Sequence, residues 1–350
     1  MICDDSLVIR SAMARILESD PTIRVVARAG NGQAALDALK LHDVDVVVLD
    51  IEMPIMDGLT ALPLLLAADP GLRVIMASTL TTRGADIAMR ALRLGAADYM
   101  PKPSAAGVGA DSLFGPELIA KVKGLAKLRR MQRPAGPAAH APPRAPGAPI
   151  QLRPPPRHLP HLLAIGSSTG GPNALFALVQ TLSPRLPIPV VITQHMPATF
   201  TTILAAHIDK LGVLPCIEAH EGARLQAGHM LLAPGDRHLL VRRDAAGLFA
   251  VLSDAPAENF CRPSVDPMLR SATEATEGRT LVVMLTGMGQ DGMEGTRAVV
   301  THGGAAIAQD EATSVVWGMP GAVARAGLAH AVLPLGQIGP KILAMCGLRA

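Results

Sequence analysis

Leu162-Leu163-Ala164-Ile165-Gly166-Ser167-Ser168-Thr169-Gly170-Gly171-Pro172 is a short apolar run that ends in a tight, glycine-rich turn carrying three hydroxyls. The run has the length and character of a buried strand, and the turn leads from it into a helical pattern. The same grammar recurs twice further on. An apolar run at 190–193 ends in Gln194-His195-Met196-Pro197, and one at 281–285 ends in Thr286-Gly287-Met288-Gly289-Gln290-Asp291-Gly292. Buried strands that each lead through a loop into a helix specify an α/β domain with a mainly parallel, Rossmann-like sheet. Shorter runs at 230–232, 238–241 and 249–252, joined by Gly- and Asp-bearing turns, are expected to make an antiparallel addition to it.

Working outward, the rhythm is also present upstream. Apolar runs at 23–27, 46–49 and 74–77 alternate with helical patterns at 32–40 and 83–94, which predicts a second parallel sheet wrapped by helices. Between the two, residues 131–157 are mainly Pro, Ala, Gly and Arg, too poor in large apolar side chains to pack. The expected organisation is therefore a first domain at 1–125, a Pro/Ala-rich linker at 126–158 and a second domain at 159–346. A length of 350 residues with 49% apolar content is enough for two cores.

Composition also excludes function classes. A formal charge of +3 and only 2% aromatic residues argue against a nucleic-acid site, and residues 160–346 read as a sheet rather than a basic helix-turn-helix. Charged residues and Pro/Gly breaks interrupt every apolar stretch before it could span a bilayer, and the start lacks a secretion signal, so a cytoplasmic protein is expected. Cys3, Cys216, Cys261 and Cys346 are too scattered for a disulfide framework or a zinc site and are expected to be reduced thiols.

Ligands of open α/β sheets bind at the carboxyl ends of the strands. In the first domain those ends carry Asp4 and Asp5, Asp50, Ser78, and Lys102 after a short strand at Tyr99. Three clustered carboxylates repel one another, and a hard divalent cation such as magnesium would neutralise them. A carboxylate so screened can attack a phosphoryl group, and Asp50 is placed for it. Singly, each acid could be a helix cap or a solvated loop residue. Jointly, Asp4-Asp5, Asp50 with Met53-Pro54 and Asp57-Gly58, Ser78, and Lys102-Pro103 resemble the receiver domain of two-component response regulators. The resemblance implies a doubly wound (βα)5 domain in which Asp50 takes phosphate from a histidine kinase. It also implies that Asp5, Asp50 and the Glu52 carbonyl surround Mg2+ with Asp4 on a metal-bound water, and that Ser78 and Tyr99 switch conformation. Two departures stand out. Only Met1, Ile2 and Cys3 precede Asp4, so the first strand is expected to be cut short and the true start to lie upstream, and Pro101 precedes Lys102.

In the second domain the 166–171 loop could either cradle a phosphate or present a nucleophilic serine. A Walker lysine and a Gly-x-Gly-x-x-Gly spacing are both missing, which weakens the nucleotide reading. Serine becomes nucleophilic when an imidazole takes its proton and a carboxylate orients that imidazole, and Ser168, His195 and Asp291 at three strand ends supply those parts. Glycines around Met288 would let its amide approach an oxyanion. Asp266 and Asp310 could replace Asp291, and Asp266 could instead cap a helix; spacing does not choose among them. Residues 166–171, Gln194-His195-Met196-Pro197, 259–266 and 286–292, behind a receiver, resemble the chemotaxis response-regulator protein-glutamate methylesterases. That resemblance implies Ser168 as nucleophile, His195 as base, Asp291 as its orienter and Met288 at the oxyanion hole. Ser167 departs from the alanine usual there.

The expected function is thus phosphorylation-regulated hydrolysis of glutamate methyl esters, with deamidation of specific glutamines, on methyl-accepting chemoreceptors. The expected partners are those receptors and a chemotaxis histidine kinase, with the membrane reached only through receptors, and the chain is expected to be a monomer. Mg2+ would serve the receiver and no cofactor the esterase. The alternative is a non-catalytic regulator that binds a receptor or kinase.

Overall fold

A computed structural model of the chain describes residues 1–79, 81–102, 114–132, 150–154, 156 and 158–348. It divides into two compact units, Met1–Pro146 and Gly147–Ala350. Residues 133–149, 155 and 157 of the expected linker, and Pro103, lie outside the described residues. Residues 126–132 of that expected linker are helical, because the last helix of the first unit runs Phe114–Gln132. Its Arg129 is buried and donates to the Val44 carbonyl and the Asp69 carboxylate, which anchors that end of the helix to the sheet.

In the first unit β1 (Ile2–Cys3), β2 (Arg28–Ala29), β3 (Val46–Asp50), β4 (Arg73–Ser78) and β5 (Asp98–Pro101) form one sheet in the order β2-β1-β3-β4-β5. Every pairing is parallel. Helices α1 (Leu7–Glu18), α2 (Gly32–Leu41), α3 (Gly58–Ala68), α4 (Thr82–Arg93) and α5 (Phe114–Gln132) connect and follow the strands. Ser6, Asn31, Asp57 and Thr81 cap the first four, each accepting from a backbone amide within the first turn. β1 is as short as the sequence leads one to expect. Its brevity also corrects the expected strand at 23–27: only Arg28–Ala29 pairs, in register with Ile2–Cys3, because β1 offers no further residues alongside.

The second unit carries seven strands in the order β14-β13-β12-β6-β7-β9-β8. They are β6 (Leu162–Ser167), β7 (Val190–Gln194), β8 (Cys216–Glu218), β9 (Met230–Leu232), β12 (Thr280–Met284), β13 (Ala305–Gln309) and β14 (Ala331–Leu333), all parallel. β6, β7 and β12 are buried along their whole length, which explains why they read as unbroken apolar runs. Burial of each Leu or Ile side chain there contributes roughly 1.5–3 kcal/mol. An antiparallel pair does exist, β10 (His238–Asp244) with β11 (Gly247–Ser253), but as a separate two-stranded sheet. The run at 230–232, expected beside it, is instead parallel strand β9 of the main sheet. β10 packs on helix α8 (Val265–Ala275), and Leu239, Val241 and Ala250 of the pair share a core cluster with Met268 and Leu269 of that helix.

Candidate active site

β6 lies between β12 and β7, so the loops after these three strands meet at one rim of the sheet. The register is tight. Ser167 pairs with Gln194, the His195 amide donates to the Ser167 carbonyl at 3.1 Å, and the Ser168 amide donates to the Thr286 carbonyl at 3.0 Å. Gly170, in the left-handed conformation, then turns the chain into α6 (Gly171–Gln180). Close approach demands the next glycine: a Cβ on Gly171 would collide with the Gln194 amide oxygen.

Three adjacent hydroxyls now have distinct surroundings. Ser167 is fully buried and its Oγ donates to Gln194 Oε1 at 2.7 Å. Thr169 is buried and its carbonyl accepts from Thr286 Oγ1. Ser168 is partly exposed, and its hydroxyl has no hydrogen-bond partner among the described residues.

His195 Nε2 lies 2.7 Å from Asp291 Oδ2. The carboxylate is otherwise held by the Ser264 hydroxyl at 2.7 Å, the Asn259 side-chain amide at 2.9 Å and the Gly292 amide at 2.9 Å. Backbone amides of Val265 at 2.6 Å and Asp266 at 3.2 Å, at the N-terminus of α8, complete the shell. Burial alone would raise the Asp291 carboxyl, but the His195 ring, the Val265 amide and the Ser264 hydroxyl hold it well below the usual carboxylate range. Burial works against a charged imidazole, yet the bond to Asp291, helped by Cys261, outweighs it and raises the proton affinity of His195.

The competing acids are otherwise occupied. Asp266 accepts from Asn259 Nδ2 through one oxygen and from the Gly295 amide through the other, and burial pushes its carboxyl up to about 6. Asp310 accepts from the amide and hydroxyl of Thr313 in its own turn. Met288 is half exposed, and its backbone amide has no acceptor among the described residues.

One contact lay outside the sequence reading. The second ring nitrogen, His195 Nδ1, faces the Cys261 sulfur at 3.4 Å rather than the Ser168 hydroxyl. With Nε2–H given to Asp291, Nδ1 is the nitrogen that carries the lone pair in the neutral ring, and the Cys261 sulfur is its neighbour in this structure. Cys261, Asn259, Ser264 and Gln194 are 66, 32, 27 and 27 residues from the groups they contact, so spacing gave no sign of them.

In the first unit the Lys102 Nζ lies 2.6 Å from Asp50 Oδ2 and 3.0 Å from Asp4 Oδ2. Those two oxygens are buried and receive no aligned hydrogen bond among the described residues. Burial pushes the Asp50 carboxyl up to about 6 against the pull of Lys102. Asp4, Asp5 and Asp50 each offer an oxygen, all within 4.8 Å of one another. Three clustered acidic oxygens, two of them against Lys102, fit a divalent cation. Glu52 enters through its amide, which donates to Asp50 Oδ1 at 3.2 Å. Ser78 and Tyr99 are buried, at the end of β4 and within β5, and the Ser78 hydroxyl donates to the Thr79 carbonyl. Pro101 costs the Lys102 loop nothing visible: its residue still pairs with Ser78, and the Lys102 amide donates to the Ser78 carbonyl at 2.7 Å.

Comparison with known proteins finds matches for both units. Residues 163–342 match the model of the CheB methylesterase family, and residues 1–111 match the response regulator receiver domain. The chain is 50% identical over its full length to a protein-glutamate methylesterase/protein-glutamine glutaminase of Paramagnetospirillum magneticum, covering 96% of it. It is 52% identical over 98% of its length to the Azospirillum brasilense protein of that name, covering 91% of it. The catalytic domain of Thermotoga maritima CheB methylesterase superposes with a TM-score of 0.52 at 39% identity, covering 53% of this chain and 98% of that one. Among the described residues no helix is long and apolar enough to cross a membrane.

Proposed function

This chain belongs to the CheB family of receiver-linked protein-glutamate methylesterases, and from that premise we propose how its own residues carry out the reaction. The enzyme hydrolyses glutamate methyl esters, and deamidates glutamines, in chemotactic adaptation. The relatives bear enzyme names, and the non-catalytic alternative is set aside.

The observation that supports the assignment is the split between neighbouring hydroxyls: Ser167 is locked to Gln194, while Ser168 is unheld and partly exposed. Ser168 Oγ attacks the ester carbonyl of a receptor glutamate as its proton passes to His195 Nδ1. To do so the ring nitrogen exchanges its contact with Cys261 for one with Ser168, a tightening that substrate binding brings about. Asp291 keeps Nε2–H in place and stabilises the imidazolium. The unpaired Met288 amide donates to the oxyanion, a role worth roughly 3–4 kcal/mol in comparable sites. His195 then returns the proton to the departing methoxide, releasing methanol. Water, deprotonated by the same nitrogen, cleaves the acyl-serine to free glutamate. An amide substrate would follow the same route and release ammonia.

The receiver supplies control. Asp50 accepts phosphate from a histidine kinase; Asp4, Asp5, Asp50 and Glu52 would hold Mg2+, and Lys102 would face the phosphoryl group. The cation, when bound, would neutralise the acidic cluster during phosphoryl transfer. Phosphorylation would bias the equilibrium by which the receiver restrains the esterase, with Ser78 and Tyr99 as the switching side chains. Methanol release from methylated receptor membranes, with and without a small phosphodonor, tests both halves.

A further inference from the structure

Phe260 is one of five phenylalanines in the chain, and its side chain is 86% exposed. Its backbone makes the exposure more costly. Glu258 and Cys261 exchange backbone hydrogen bonds, the amide of each donating to the carbonyl of the other at 3.1 and 3.0 Å. The two residues between them are both left-handed, Asn259 at φ 54° and Phe260 at φ 62°. That is the geometry of a two-residue hairpin turn in which Asn followed by Gly is strongly preferred. Asn259 suits its position. Phe260 stands where glycine would be relaxed, pays for a strained backbone, and gains no burial in return. Neither the turn nor the core accounts for it, and strain of this sort collects at functional sites.

The turn is also fixed to the triad from both sides. Asn259 Nδ2 donates to Asp291 Oδ1 at 2.9 Å, and the Cys261 sulfur lies 3.4 Å from His195 Nδ1. The backbone between them is therefore held beside the triad, and the Phe260 ring it carries is exposed to solvent, as is, in part, the Met288 side chain on the loop after β12.

We propose that Phe260 is a specificity-determining residue, whose ring packs against the apolar side of the receptor helix that presents the methylated glutamate. The inference rests on the methylesterase reading above. On a helix, side chains three and four positions from the glutamate lie on its face, where a ring carried by a turn anchored to the base would meet them. Such a remote contact holds substrate and transition state alike, so it lowers KM without taking part in the chemistry.

The experiment compares the full-length chain with its Phe260→Gly and Phe260→Leu variants, measuring melting temperature and kcat and KM for methanol release from methylated receptor membranes. Glycine relaxes the turn, so Phe260→Gly should melt no lower than the parent. Its KM should rise roughly tenfold or more, as loss of an apolar contact commonly gives, with kcat changed less than about threefold. Phe260→Leu should recover part of the KM. Unchanged KM in Phe260→Gly would overturn the proposal. So would a lowered melting temperature, which assigns the ring to the fold, or a rise in the unphosphorylated activity with KM unaltered, which assigns it to restraint by the receiver. A parent chain that releases no methanol would refute the esterase reading itself, a result distinct from any of these.

Discussion

Asp291 Oδ2 sits 2.7 Å from His195 Nε2 and at the same time 2.6 Å from the Val265 amide, so one oxygen joins the catalytic ring to the start of a helix. The carboxylate is thereby kept ionised and cannot swing away.

Replacement of Asp291 by Asn should lower kcat by about 10⁴-fold, the loss seen when a triad carboxylate becomes an amide. A pH effect accompanies it. His195 acts as base only when neutral, and its proton affinity is raised, chiefly by Asp291 against the opposing effect of burial. In the parent, kcat/KM should therefore climb with pH through an apparent pKa above the ordinary imidazole value. In Asp291→Asn that limb should move to lower pH while the plateau falls. A limb that stays in place would show that the acid does not tune this ring.

Cys261 holds its sulfur 3.4 Å from the nitrogen that must receive the serine proton. Alkylation of that thiol with iodoacetamide should put a bulky group between base and nucleophile and reduce methanol release more than tenfold, a loss of above about 1.4 kcal/mol in transition-state stabilisation. Cys3, Cys216 and Cys346 are buried, so Cys261→Ala should resist the reagent. Equal sensitivity of parent and variant would place the reactive thiol elsewhere.

Asp50 carries a pH signature of its own. In chelator, its folded carboxyl titrates at about 6, raised by burial, against about 4 for an unfolded chain. A group whose folded value is raised gives stability that is complete below about pH 4 and is lost as the pH climbs through about 6. Asp50→Asn removes that loss. The receiver transition of the variant should exceed that of the parent at pH 7.5 by about 1–2 kcal/mol, after discounting for solvent access to the group, and should match it near pH 4. Mg2+ should raise the parent's transition and leave that of the variant nearly unmoved. The variant should also keep basal esterase activity but lose its response to a phosphodonor.

The strands that build both sites were legible because they are buried on both faces. β3, β4, β6, β7 and β12 stand in the sequence as unbroken apolar runs, and the site residues lie at the ends of these runs or in the loops that follow them. Residues 23–27 show where this reasoning stops. They have strand-forming composition, but pairing needs a neighbour, and β1 supplies only Ile2 and Cys3. Partner choice was equally hidden for Met230–Leu232, whose apolar character suits a parallel place beside β7 as well as an antiparallel one. In the site, residue type and strand position pointed to a serine, His195 and an acid at the strand ends, and the family resemblance singled out Ser168 and Asp291. The environment that separates Ser168 from Ser167 could not be read, since it depends on Gln194 from the adjoining strand.

That separation is the central claim and can be measured directly. Methanol release from methylated receptor membranes should fall by about 10⁴-fold or more in Ser168→Ala. Ser167→Ala, which loses one buried hydrogen bond and about 1 kcal/mol of stability, should retain most of the parent rate. Full activity in Ser168→Ala together with an inert but folded Ser167→Ala would contradict the assignment.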